Sequence, residues 1–175
     1  MTKMNKLFFL IVLIIPFIAC VEDEGSTDHI DQFDSNKFYE EKWAWDFFAV
    51  KDYSYRLYVT VDSAKNGRSI VNADVIVKDG VSDVAFRSSD DNYITDDTSP
   101  YCLKTIEAVY DFIFDLYMQE QNCIYNNAIG SYSIDWTTKY DEPYHYPSYF
   151  VLFPIHCYPR FDNIYISVED FKLLD

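Results

Sequence analysis

The sequence predicts an α+β fold in which an antiparallel sheet of about five to six strands carries two helices on one face. Three observations indicate this fold class. Several short segments alternate apolar and polar residues, as half-buried strands do. One Asp-Gly pair is typical of a tight hairpin, and two segments carry apolar residues at helical spacing. The predicted order is helix, three strands, helix, three strands.

Residues 1–19 are predicted to be a lipoprotein signal peptide and not part of the fold. A short basic region precedes an apolar run of 13 residues, too short for an ordinary spanning helix of about 20 residues. The run ends in Ile18-Ala19-Cys20, which resembles a bacterial lipobox, with Phe17 where Leu is usual. We therefore expect Cys20 to be lipidated. An uncleaved anchor and an ordinary signal peptide are the alternatives.

The mature chain is expected to be strongly acidic. Cleavage removes two of 14 basic residues and none of 29 acidic ones, so the net charge moves from −15 to −17. Residues 20–34 comprise the lipidated Cys20 and an acidic tether, whose 14 residues span about 20 Å as a random coil. The membrane would therefore be contacted through acyl chains. Nucleic acid is disfavoured as a partner, because clustered Lys and Arg are lacking.

The location that follows is the cell envelope. We expect an exported protein that is lipid-anchored there, at the outer membrane or the cell surface if the host is Gram-negative. Residues 35–175 would form a single α+β domain beyond the tether.

Residues 35–50 predict the first helix, with Asp34 or Ser35 as its N-cap. Its inward face is expected to carry three apolar residues at helical spacing: Phe38, Trp45 and Ala49. Its charged residues are expected in solvent: Glu40, Glu41 and Lys42.

The next strands are predicted from alternation and from turn chemistry. Residues 53–61 alternate, and 62–68 read as a polar turn. Asp79-Gly80 predicts a type I′ hairpin, because both central positions of that turn need positive φ. Three cross-strand pairs then collect apolar side chains on one face: Val77 with Ser82, Val75 with Val84, and Ala73 with Phe86.

The second helix is predicted at about 105–121, with Thr105 as its N-cap and Glu107 at its positive end. Its apolar face would carry six residues: Ile106, Val109, Tyr110, Ile113, Phe114 and Tyr117. Three strands are predicted to follow, at about 132–140, 149–154 and 163–171.

Five segments of the chain occur in the order of a known family pattern. They are Trp45 with Asp52–Tyr55, Val75–Val81, Thr105–Ile113, Tyr140–Pro147 and Asp162–Phe171. Together they resemble an uncharacterised domain-of-unknown-function family of bacterial lipoproteins and secreted proteins, over about residues 45–171. His145 stands where that family usually has Gly before Tyr-Pro, a position at which Gly allows positive φ. The resemblance implies a fold and an envelope location, and it supplies no catalytic residue.

Three cysteines remain after Cys20. Cys102 and Cys123 flank the second predicted helix, whose ends lie about 27 Å apart, so a disulfide between them is unfavourable. Cys123 with Cys157 is a possible disulfide, and Cys102 with Cys157 is the alternative. Three unpaired thiols remain equally open.

No catalytic residue, metal site or cofactor is expected. His156 and Cys157 are neighbours on an extended segment, so they point to opposite faces and His156 is poorly placed to activate the thiol. Four loop aspartates lack the spacing of a calcium loop and predict a solvated acidic loop instead: Asp90, Asp91, Asp96 and Asp97.

The tract 140–150 is the most unusual segment. It predicts a possible binding patch for a glycan, a peptide or an envelope protein, built from Tyr140, Tyr144, His145, Tyr146 and Tyr149. A structural hairpin connection is the alternative. We therefore expect a non-enzymatic binding module at the membrane surface. An envelope hydrolase with a site assembled from distant residues, and a surface protein with no specific ligand, remain open.

Overall fold

The computed structural model describes residues 32–63, 67–87, 93–126, 134–154 and 162–174. These residues form two helices and one six-stranded sheet. The elements in chain order are α1 (Ser35–Phe48), β1 (Tyr53–Ser63), β2 (Gly67–Lys78), β3 (Val81–Phe86), α2 (Ile106–Asn126), β4 (Ile134–Tyr140), β5 (Pro147–Pro154) and β6 (Asn163–Leu173). The predicted α+β class and element order are confirmed.

The sheet joins two three-stranded meanders through their first and last strands. Its order is β3-β2-β1-β6-β5-β4, and every neighbouring pair is antiparallel. The central β1–β6 pairing sets Val59 opposite Ile166. Alternate residues of these strands are buried beneath the helices. The buried residues of β1 and β6 on this face are Tyr53, Tyr55, Leu57, Val59, Val61, Ile164, Ile166 and Val168.

The predicted hairpin register is confirmed. Val77 pairs with Ser82, Val75 with Val84, and Ala73 with Phe86. Asp79 and Gly80 have φ of 50° and 74°, as the turn requires. The strands on either side of the polar segment 62–68 are longer than predicted, because β1 runs to Ser63 and β2 starts at Gly67.

Helix α1 differs from the prediction at two positions. Asp34 is the N-cap and accepts a hydrogen bond from the Lys37 amide at 2.9 Å. Ala49, predicted to face inward, is exposed, because the helix ends at Phe48 and Ala49 has φ of 47°. Glu41, predicted in solvent, is only 6% exposed. It lies on the same arc of the helix as the buried Phe38 and Trp45.

The Glu107 carboxylate joins both helices to the central strand. Its Oε1 accepts from Trp45 Nε1 at 2.9 Å, and its Oε2 accepts from the Tyr53 hydroxyl at 3.1 Å. The same hydroxyl accepts from the Ile106 amide at 3.1 Å. Burial raises the pKa of Tyr53, and the carboxylate beside it also disfavours the phenolate. The hydroxyl therefore stays protonated and available to donate.

We expect Glu107→Ala to lower the free energy of unfolding by about 2–4 kcal/mol, because Trp45 and Tyr53 lose a charged acceptor while buried. Urea denaturation measures this. Asp111→Ala is the matched control, since Asp111 is exposed one turn further along α2. That change should stay within about 0.5 kcal/mol. Equal effects of the two substitutions would contradict the assigned role of Glu107.

Candidate functional site

The predicted tyrosine patch does not form one continuous surface. Tyr146 is buried and stacks on Phe171 with ring centroids 4.5 Å apart. Tyr144 is half-buried against the same Phe171, at 5.2 Å. Tyr140 stacks on the buried Tyr110, and Tyr149 lies on the opposite face of the sheet. Most of this tract therefore packs onto the helix layer, and its role as a binding patch stays a prediction.

His145 joins that tract to α1. Its Nδ1 lies 2.6 Å from Glu41 Oε2, and Lys37 forms an ion pair with Oε1 of the same carboxylate. The Tyr110 hydroxyl donates to the His145 carbonyl. His145 has φ of 61°, so a non-glycine residue adopts the positive φ that Gly would allow there. These contacts offset a backbone strain of about 1–2 kcal/mol.

The electrostatics favour an ionised Glu41. Burial alone would raise the pKa of this carboxyl group, but the hydrogen bonds and charges of Lys37 and His145 outweigh it and hold the pKa below its usual value. A carboxylate that orients a histidine is also found in general-base sites. Among the described residues, however, the His145 side chain has no nucleophilic partner.

The face of the sheet opposite the helices carries a second aromatic cluster. Three half-buried tyrosines meet there: the Tyr58 and Tyr165 ring centroids are 6.0 Å apart, and those of Tyr149 and Tyr165 are 5.3 Å apart. Lys139 Nζ lies 5.3 Å from the centre of the Tyr149 ring. The strand register brings these side chains together, because Ser167 of β6 pairs with Tyr58 of β1 on one side and with Tyr149 of β5 on the other.

A groove of about 270 Å³ opens on this face, and we call it the open-face groove. It is lined by eight residues of β1, β2, β5 and β6: Tyr58, Thr60, Asp62, Arg68, Phe153, Asn163, Ile164 and Tyr165. Three of the eight are aromatic: Tyr58, Phe153 and Tyr165. Arg68 and Asp62 add a loose ion pair with Nε to Oδ1 at 3.7 Å.

Two buried oxygens on the open face lack hydrogen-bond partners among the described residues. They are Thr60 Oγ1, in a side chain that lines the groove, and Asn72 Oδ1, whose residue pairs with Tyr58 across the strands. Unpartnered polar atoms in a folded interior are uncommon, and each lowers stability. Thr60 Oγ1 is almost completely shielded from solvent, so it lies beneath the groove surface and not on it.

The cysteine predictions are tested only in part. Cys102 is a buried free thiol before α2, and burial raises the pKa of that thiol. Cys123 lies in α2, which extends further than predicted. The Cys123 side chain, Cys157, His156 and Cys20 lie outside the described residues, and so does the possible Cys123–Cys157 disulfide.

The acidic loop is described at two of its four aspartates. Asp96 accepts hydrogen bonds from the Thr98 amide at 2.9 Å and from the Thr98 hydroxyl. These bonds hold the pKa of Asp96 below its usual value. Asp97 Oδ2 lies 3.1 Å from Lys104 Nζ. Asp90 and Asp91 lie outside the described residues.

The chain matches no protein-family model, and no curated protein matches it. The family resemblance of the sequence segments therefore stays a prediction. None of the helices in the described ranges combines the length and apolar character needed to span a membrane. Across the same ranges, no three His, Cys, Asp or Glu side chains group to hold a metal ion.

Sequence reasoning missed both the Glu41–His145 pair and the open-face groove. Glu41 and His145 are 104 positions apart, so only the tertiary fold joins them. One pattern in the sequence indicates that Glu41 is buried: it lies on the same arc of α1 as Phe38 and Trp45. The alternation of β1 predicts which of its residues face outward, and these include Tyr58 and Thr60. It does not predict their neighbours on β6.

We expect Glu41→Gln to lower the free energy of unfolding by about 1–3 kcal/mol at neutral pH, because the buried charged partner of His145 and Lys37 is lost. The carboxyl pKa is lower in the folded state than the usual 4.5. The additional free energy of unfolding that Glu41 provides over the Glu41→Gln variant is therefore fully present above pH 4.5. It is lost as the pH falls through the pKa of the folded state. Denaturant titrations of both proteins between neutral pH and pH 3 measure the difference. A constant difference would contradict this assignment.

Proposed function

We propose that this protein is an exported lipoprotein of the bacterial envelope whose domain binds a ligand in the open-face groove. The observation that carries the proposal is the groove itself, a cleft whose lining includes three aromatic side chains, Tyr58, Phe153 and Tyr165. A shallow aromatic site favours binding over catalysis, since catalysis needs convergent titratable groups.

The proposed location is supported by the sequence. The apolar run that ends in Ile18-Ala19-Cys20 has the length and position of a lipoprotein signal, and the acidic residues 21–34 would separate the domain from the bilayer. Cys20 would carry the lipid and would hold the domain close to the membrane.

The groove chemistry suggests a ligand class. Faces of Tyr58 and Tyr165 suit the flat apolar surface of a sugar ring or a peptide side chain. The net charge of −17 expected for the mature chain disfavours acidic ligands. We therefore propose a neutral or cationic peptide or glycan, free or displayed by another envelope protein.

An envelope hydrolase is the second candidate, and the Glu41–His145 pair is the observation that favours it. In such an enzyme Glu41 would orient His145, and His145 would act as the general base. His145→Gln would then abolish hydrolysis of ester or peptide substrates by the purified protein and leave binding at the groove intact.

We expect Cys20→Ala to abolish palmitate incorporation and to release the protein from membranes, because the acyl chains are the proposed anchor. Metabolic labelling with membrane fractionation measures both effects. Cys102→Ala is the control, since Cys102 is buried in the domain and should leave labelling unchanged. Full membrane retention of the unlabelled Cys20 variant would refute the anchor.

We expect Thr60→Val to raise the free energy of unfolding by up to about 1 kcal/mol, because a buried hydroxyl without a partner is replaced by a methyl group. Tyr165→Ser, which removes an aromatic ring from the groove lining, should lower ligand capture several-fold. Capture is measured in intact cells from a photo-reactive residue at position 153, on the groove wall. A photo-reactive residue at position 144 is the control. Unchanged capture by the Tyr165→Ser variant would contradict the groove proposal.

A further inference from the structure

The outward face of α1 carries a row of exposed aromatic side chains, which we call the aromatic stripe. It consists of Tyr39, Trp43 and Phe47, at intervals of four residues, which are 53%, 69% and 73% exposed. Trp43 stacks on Phe47 with ring centroids 5.5 Å apart. At about 100° per residue, the stripe lies opposite the buried arc of α1, so the domain's own core cannot cover it.

A contiguous exposed aromatic surface is typical of an interaction site. Isolated exposed apolar residues are ordinary, but these three extend over nine residues, with about 12 Å of helix between the first and the last. Tyr and Trp combine an apolar ring with a polar group, and they are enriched where hydrocarbon meets water at the membrane interface.

The position of α1 in the chain indicates what covers the stripe. The helix begins at Ser35, separated from Cys20 by the 14 residues of the acidic tether. That length spans about 20 Å as a coil and at most about 50 Å when extended. A lipid on Cys20 would therefore hold α1 within reach of the bilayer at a high effective concentration. Of the helices and strands that the structure describes, α1 is the first after Cys20.

The charges beside the stripe fit a lipid interface without requiring anionic headgroups. Lys42 is paired with Asp46 at 2.7 Å, and the exposed Glu40 lies on the same outward side of α1 as the stripe. One paired lysine among acidic residues does not form a basic cluster of the kind that recognises anionic lipids. The contact would therefore depend on apolar burial and would occur on zwitterionic membranes.

We propose that the aromatic stripe lies in the headgroup region of the membrane that carries the lipid anchor, with α1 flat on the bilayer. This inference rests on the proposed lipidation of Cys20. The helix layer and the open face of the sheet are opposite sides of a two-layer domain, so this orientation turns the open-face groove away from the membrane. Ligands would then reach the groove from the aqueous side.

The tryptophans provide the probe. The chain has three, and Trp43 is exposed whereas Trp45 and Trp136 are 1% and 3% exposed. The mature lipoprotein is reconstituted in phosphatidylcholine vesicles with either plain or brominated acyl chains. The Trp43 emission is the emission of the unsubstituted protein minus that of the Trp43→Phe variant. We expect brominated lipid to quench this emission. Tyr39→Ser/Phe47→Ser should reduce that quenching about threefold or more.

Val81→Ser is the matched control, since Val81 is as exposed as Phe47 but lies on β3; it should leave the quenching unchanged. Protein that floats with the vesicles while Trp43 stays unquenched overturns the inference and leaves the anchor intact. Protein that does not float overturns both the anchor and this inference. Trp43 could instead become shielded from solvent in the absence of vesicles, to an extent that rises with protein concentration. That result assigns the stripe to contact with a second copy of the chain and also overturns the inference.

Discussion

The Glu107 carboxylate is the contact on which the arrangement of the layers depends. It lies in the first turn of α2, where a negative charge is favoured, and it accepts hydrogen bonds from α1 through Trp45 and from β1 through Tyr53. The Tyr53 hydroxyl accepts from the first amide of α2. One charged group thus fixes both helices against the central strand and satisfies two buried donors, Trp45 Nε1 and the Tyr53 hydroxyl. A second charged contact, Glu41 with His145, holds the tyrosine-rich turn to α1 in the same way.

This arrangement divides the aromatic residues between two tasks. On the helix side they fill the core, as with Tyr110 and Tyr146, and their hydroxyls are kept protonated because burial raises their pKa values. On the opposite side of the sheet Tyr58, Tyr149 and Tyr165 remain half-buried and line or flank a groove. The open sheet face is therefore the surface that we propose for ligand recognition, whereas most of the tract that is richest in tyrosine packs onto the helix layer.

Local patterns predicted much of the fold and little of the candidate site. The hairpin register followed from Asp79-Gly80 and alternation, and Glu107 was correctly placed at the positive end of α2. The partners of Glu107 could not be predicted, because they come from other elements. Likewise Thr60 lies opposite Tyr165 only because β1 pairs with β6. Alternation assigns a residue to a face, but long-range strand pairing decides its neighbours.

The central claim is that ligand occupies the open-face groove, and side-chain footprinting in the native envelope tests it most directly. Hydroxyl-radical oxidation of each tyrosine is compared between envelope vesicles and the purified protein, with mass spectrometry as the readout. Tyr58, Tyr144 and Tyr165 are all part-exposed in the domain. Occupancy of the groove predicts protection of Tyr58 and Tyr165 in the envelope, with Tyr144 unchanged. Protection of Tyr144 alone would contradict the account and place the ligand at the tyrosine-rich turn.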